Sequence, residues 1–205
     1  WLSVWRELGV EAVRGIDGDY VDRSKLLCPG ESFDAHDLTE PFDLGQRFDL
    51  VQSLEVAEHL PESSAGIFIA SLTNHSDRVL FSAAPKGQGG DHHINEQDYD
   101  YWRRIFADRD FVPVDFIRPA VKSNTEIEPW YRYNSILYVR SSELDKLSEN
   151  IRNFLIKEGG IDDISPLPYK LRKLILSRLP ISLLTRMAKL KERSRVRKAR
   201  ARKVA

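Results

Sequence analysis

Short apolar runs that stop at a polar or acidic residue punctuate the first 140 positions of the chain. VRGID at 13–17 closes on Asp17, the run before AHDL at 35–38 is followed by Asp37, and FDLVQSLEVAEHLP at 48–61 closes on Ser53, Leu54 and Glu55. Parallel strands end this way at the carboxyl edge of an α/β sheet, where such folds bind ligands. The periodicity predicts strands at 12–17, 32–35, 48–53 and 78–83. It predicts helices at 1–8, 20–27, 61–74 and 96–108, the last capped by Asn95 and the second by Asp19. Strand and helix alternate up to residue 83, the pattern of a parallel sheet covered on both faces. Two further strands are expected near 112–118 and 134–140, separated by a long polar loop at 119–133. Beyond Arg140 the pattern predicts helices at about 143–158 and 167–178, then a basic helix from 181, for which Pro180 suits the first turn.

Composition changes this picture at one end only. Of 205 residues, 41% are hydrophobic and 10% aromatic, enough for one domain with an appendage. A single cysteine, Cys28, rules out an internal disulfide framework and fits a reducing cytosol. No apolar run approaches the roughly 20 residues that span a bilayer. Net charge is zero, yet from Lys170 onward the chain holds fourteen Lys or Arg against one acid, Glu192, so the preceding 169 residues carry −13 and the remainder +13.

An acid at a strand end can accept both hydroxyls of a ribose, and a second acid along the same edge can accept the exocyclic amine of adenine. With AEHLP after the third run, the order and spacing resemble the class I S-adenosylmethionine-dependent methyltransferases, in particular the broad small-molecule group whose fourth strand is followed by Glu-His-Leu-Pro. The resemblance covers residues 1 to about 140. It implies an α/β, Rossmann-like parallel sheet with an antiparallel edge pair, followed by C-terminal helices. That family begins with a strand and a GxGxG loop, which lets the cofactor approach the backbone. No GxGxG occurs here, so the expectation is a chain cut just after that loop, and GQGG at 87–90 is read as a flexible turn. The implied organisation is a methyltransferase-like domain at 1–140, a helical extension at 141–180 and a basic amphipathic tail at 181–205.

The resemblance also implies roles. Asp17 would hold the ribose of S-adenosylmethionine, with Gly18 allowing close approach. Asp37 would take the adenine amine and the Leu38 N–H a ring nitrogen. Ser53, Leu54 and Glu55 would touch the methionine portion. His92 and His93, in GGDHHINEQ after the 78–83 strand, stand where similar enzymes carry a His-x-Asn-Glu motif near the acceptor. A neutral imidazole there could serve as general base. Trp130, Tyr131 and Arg132 could line an acceptor pocket or rim the edge strand. Glu58 and His59 are read as a structural marker, and no metal site is expected, because no CxxC or HExxH spacing occurs.

The reading is therefore a methyltransferase acting on a small-molecule or lipid- or glycan-linked acceptor. The rivals are a nicotinamide-dependent oxidoreductase, disfavoured by the absence of Tyr-x-x-x-Lys, and a degenerate scaffold without activity. In the tail, Ile181, Leu184, Met187 and Leu190 share one helical face, with ten Lys or Arg between Arg186 and Lys203. That pattern suits an anionic membrane surface. Nucleic acid is the weaker partner, since the tail has no aromatics for stacking. The protein is expected in the cytoplasm, with peripheral attachment at the inner membrane surface.

Overall fold

The computed structural model describes residues 1–180, 183–186 and 188–190. Its centre is a four-stranded sheet of β3 (Val51–Leu54), β4 (Arg78–Ser82), β6 (Ile136–Arg140) and β5 (Phe111–Val114), in that spatial order. β3 and β4 are parallel, with Ser53 opposite Phe81, whereas β6 runs antiparallel to both of its neighbours. Helix α2 (Ala65–His75) makes the crossover from β3 to β4, and α3 (Tyr99–Ala107) leads into β5. The mixed α/β architecture, with its antiparallel pair at one edge, matches the expected fold class.

The apolar runs explain the packing. Ile136, Leu137, Tyr138 and Val139 of β6 are all buried, as a strand covered on both faces requires. Tyr99, Trp102 and Phe106 place one face of α3 against the sheet. Phe106 stacks on Tyr138 at 3.9 Å, and Trp102 and Phe106 both meet the Phe81 ring.

A second, thinner layer precedes this sheet. β1 (Gly15–Asp17) and β2 (Phe33–Ala35) form a separate parallel pair with Gly15 opposite Phe33. Helix α1 (Leu2–Glu7) links the two sheets. Its Leu2 side chain occupies the space a Cβ on Gly15 would need. Its Trp5 indole Nε1 donates to Gln52 Oε1 of β3 at 2.9 Å. Ile16 and Leu38 pack against the main core.

Four expected elements differ. No helix forms over 20–27, only a single 3₁₀ turn at Arg23–Lys25. Asp22, and not Asp19, caps it, and the bonds its carboxylate accepts from the Ser24 N–H and hydroxyl compete with a longer helix. The 119–133 segment is not a plain loop: it contains α4 (Ile117–Val121) and α5 (Pro129–Asn134). The 143–158 helix breaks into a 3₁₀ stretch at Ser141–Lys146 and the short α6 (Glu149–Arg152). The chain after α6 is drawn onto the edge of β5, where Leu155 bridges Val114 and Ile156 N–H donates to Pro113 O at 3.0 Å. Asn95 does not cap α3: Asp98 holds the N-cap position, and Asn95 is buried, accepting from Gln97. Helix α7 (Leu167–Leu176) forms as expected.

Candidate active site

The carboxyl ends of β3 and β4 are tied together by Glu55. Its N–H donates to the Ser82 carbonyl at 3.0 Å and the Ser82 hydroxyl at 3.1 Å. Glu55 has φ 57°, a left-handed conformation uncommon outside glycine, and it turns the chain sharply off the strand. Its side chain sits in a buried polar network. Gln88 Nε2 donates to Oε2 at 2.6 Å, and Asn134 Nδ2 donates to Oε1 at 3.2 Å and to Gln88 Oε1 at 2.8 Å. The Tyr99 hydroxyl completes the chain by donating to Asn134 Oδ1 at 3.0 Å. Burial pushes the Glu55 carboxyl above its usual range, and the bonds from Gln88 and Asn134 oppose that shift.

One turn on, Glu58 is fully buried and neither carboxylate oxygen has a hydrogen-bond partner among the described residues. Burial first, and the nearby Glu55 charge second, push its pKa up to about 9. Glu58 also anchors the opposite loop through its backbone, for its carbonyl accepts the N–H groups of Ile94 and Asn95 at 2.9 and 3.0 Å. That clamp brings His93 beside His59, with ring centroids 4.9 Å apart. The same loop is organised around Glu96, whose carboxylate accepts from Gly87 N–H, Gly89 N–H and His93 Nδ1 at 2.7–2.9 Å. The GQGG segment is thus a fixed cradle rather than a flexible turn. A Cβ on Gly87 would overlap the Lys173 carbonyl of α7, and one on Gly90 would overlap the His93 ring.

The two candidate bases separate. His93 is 12% exposed and directs Nε2 toward Glu58 Oε1 at 4.0 Å. His92, left-handed at φ 57°, turns its ring outward at 72% exposure, where Asp91 and Lys189 meet it. Its carbonyl turns inward and accepts from His59 Nδ1 at 3.2 Å. Partial burial, then His93, lowers the His59 pKa.

Ser53 and Leu54 stand at the end of β3 beside this cluster, and the buried Ser53 hydroxyl has no partner among the described residues. Asp17, Gly18, Asp37 and Leu38 lie at the ends of the other strand pair. Asp17 Oδ1 accepts from Gly18 N–H at 2.8 Å and the Tyr20 hydroxyl at 2.6 Å. Asp37 Oδ1 accepts from the Thr39 N–H and hydroxyl, an Asx turn that holds its pKa below the usual range. Trp130, Tyr131 and Arg132 belong to α5. Tyr131 packs edge-on against Trp1 at 5.5 Å, and burial, followed by the Glu55 charge, raises its pKa. Arg132 instead lies over the Tyr133 ring and donates to the Lys122 carbonyl.

Sequence reasoning read Glu58 and His59 as structural and did not single out Gln88 or Asn134. A signal for the first two was present: carboxylates at 55 and 58 and an imidazole at 59 follow one strand end within five residues. No local pattern marks Gln88 or Asn134, which reach Glu55 from 33 and 79 residues away. A cleft of about 500 Å³ along α2, lined by Pro41, Phe42, Ile67 and Arg109 among others, contains none of the candidate residues.

No family model matches the chain, and no curated protein matches it. Among solved structures, the chain is similar to the crystal structure of magnesium protoporphyrin IX methyltransferase from Synechocystis PCC 6803 with bound SAM, at 26% identity and a TM-score of 0.37. The match covers 54% of this chain and 46% of that one, less than half its length.

Proposed function

We propose that the intact protein is an S-adenosylmethionine-dependent methyltransferase acting on a small-molecule or lipid-linked acceptor. The observation that carries the reading is the set of carboxyl-terminal strand ends in the two parallel pairs: β1 closes in Asp17, Asp37 follows β2, β3 closes in Ser53–Glu55, and β4 leads into the His93 loop. Asp17 and Asp37 fit the cofactor's ribose and adenine. The bonds described above engage only Oδ1 of each carboxylate, which leaves Oδ2 for a donor outside the chain. S-adenosylmethionine supplies an electrophilic methyl group, and the protein's task is chiefly to position a nucleophile in line with it. Gly18 and the backbone of Ser53, Leu54 and Glu55 would flank the cofactor, and Tyr131, close enough to feel the Glu55 charge, would face the acceptor. Of the histidine pair, His93 is the member at the site.

β1 and β3 each pair on one side only among the described residues. In this reading the intact sheet carries a further strand between them, whose glycine-rich loop completes the cofactor site. No helix among the described residues is long and apolar enough to cross a membrane. We assign the tail to the surface of an anionic membrane. Leu184 is half-buried and Leu190 exposed, whereas Ile181 and Met187 lie outside the described residues. Each Lys or Arg near such a surface gains about 1 kcal/mol. Co-sedimentation with anionic but not neutral vesicles, lost on deleting 181–205, supports this assignment. Tight RNA binding without lipid preference refutes it.

Calorimetric titration of the intact protein with S-adenosylmethionine and with NAD tests the main reading. Saturable binding of the first alone is the expected result, and binding of NAD alone moves the protein to the oxidoreductases.

A further inference from the structure

We infer that Glu58, His59 and His93 form a binding site for one divalent first-row transition-metal ion at the carboxyl end of β3. One ligand atom from each of the three lies within 4.8 Å of the others. An ion with bonds of about 2.0–2.2 Å needs its ligands roughly 3–3.5 Å apart. The 4.0 Å between His93 Nε2 and Glu58 Oε1 therefore closes with a small side-chain movement.

Three observations point to an ion. The first is Glu58 itself. As a carboxylate, a side chain with no exposed surface and no well-formed hydrogen bond to either oxygen is costly until it is protonated or a cation binds it, and the backbone N–H groups of Glu58 and Ala84 relieve it only in part. Glu55 is the poorer ligand of the two acids, because its oxygens already accept hydrogen bonds from Gln88 and Asn134. The second is the tautomer of each histidine. His93 Nδ1 faces the Glu96 carboxylate at 2.9 Å and His59 Nδ1 faces the His92 carbonyl at 3.2 Å, and both partners can only accept. Each Nδ1 therefore carries the hydrogen, and in the neutral ring each Nε2 keeps its lone pair. A metal-bound imidazole is held in this way, with its other nitrogen donating to a carboxylate or carbonyl. The third is the backbone that assembles the group. The left-handed His92, the Gly90 packed under the His93 ring and the two bonds to the Glu58 carbonyl all act to bring 93 beside 58 and 59.

Two imidazoles and one carboxylate select zinc, manganese, iron or cobalt over magnesium or calcium, which prefer oxygen ligands. Three protein ligands leave at least one position open to water or to an oxygen of a bound molecule, unlike a closed structural site. The binding claim does not depend on methyl transfer. If both hold, His93 is a ligand rather than the base, and an acceptor hydroxyl on the ion loses its proton more readily.

The test uses the full chain, stripped with a chelator and titrated with Zn²⁺, Mn²⁺ and Co²⁺ by calorimetry. Melting curves and the visible spectrum of the Co²⁺ form are followed in parallel. The expected result is one ion per chain, a rise in melting temperature on binding, and Co²⁺ absorption bands typical of nitrogen ligation. Glu58→Gln, His59→Ala and His93→Ala should each weaken binding by about 100-fold or more, and Glu96→Gln, which acts through His93, by about 10–100-fold. His36→Ala, outside the cluster, should bind as wild type does. Glu58→Gln is close to isosteric, so it remains informative if a histidine variant does not fold. Failure of all three ions to bind at millimolar concentration overturns the site, as does wild-type affinity in folded Glu58→Gln.

Discussion

At the end of β1, the Asp17 carboxylate takes its bonds from its own loop and from an 80% exposed tyrosine, Tyr20. At the end of β3, Glu55 and Glu58 face the 84–95 loop, and neither oxygen of the Glu58 carboxylate has a well-formed hydrogen bond among the described residues. Both strands obey the same rule, an apolar run closed by an acid, and the difference lies in what covers them. The helix on the β1–β2 pair, α1, has no buried residue, and Trp1, Val4 and Leu8 around it remain exposed. The four-stranded sheet is flanked by α2, α3 and the loop cradle, and its core residues Val79, Phe106, Phe111 and Val139 are completely buried. A carboxylate at a wet edge can wait for a ligand at little cost. A dry one destabilises the fold until it is protonated or bound.

Ion pairs give the sharpest way to break this comparison. In the thick region Arg118 is 1% exposed, holds Asp115 with two bonds of 2.8 and 2.7 Å, and donates to the carbonyls of Tyr133 and Asp162. Arg118→Ala should cost about 3–5 kcal/mol in denaturant unfolding, since it strands the largely covered Asp115 carboxylate and removes the donors to the Tyr133 and Asp162 carbonyls. Arg14 and Asp34 form the corresponding pair in the thin region, exposed to solvent. Arg14→Ala should leave the unfolding midpoint unmoved. Equal losses at the two sites would erase the distinction.

Glu58→Gln should act in the opposite direction. In chelator-treated protein at pH 8 it should stabilise the fold by about 2 kcal/mol or more, because the neutral amide avoids the proton uptake that burial forces on Glu58 above its unfolded-state pKa. The sign follows from a folded-state pKa raised to about 9. Stability associated with Glu58 is complete below the ordinary glutamate pKa of about 4.3 and is lost as pH rises toward 9. Urea midpoints measured at pH 5 and pH 8 should therefore converge in the variant. Gln88→Ala should be milder, costing about 1–3 kcal/mol by leaving Glu55 and Asn134 without one partner each.

Much of this was legible in the chain. VRGID, FDLVQSLE and the run at 78–83 became β1, β3 and β4 because a buried parallel strand needs only a short apolar stretch and a polar stop. The residues near 112 and 136 became the antiparallel edge pair. Helices were less legible wherever local bonds or tertiary contacts overrode periodicity, as Asp22 does at 23–25 and the β5 edge does at 153–156. The histidine pair was visible, but not that His92 would face out and His93 in. That split depends on one left-handed residue and on the Glu96 carboxylate, and neither leaves a periodic trace. The Glu55 network was hidden for a different reason, since Gln88 and Asn134 reach it only through the fold.

The smallest structural effect expected is at Asp17, where Asp17→Ala should leave the melting temperature within error of wild type. Its functional effect is the central question. Titration of S-adenosylmethionine into the intact wild type and into folded Asp17→Ala tests directly whether the wet edge holds the cofactor. Two lost charge-assisted bonds, worth roughly 1.5–3 kcal/mol each, should weaken binding at least tenfold. Unchanged affinity in the variant, or no binding by the wild type, would contradict the account.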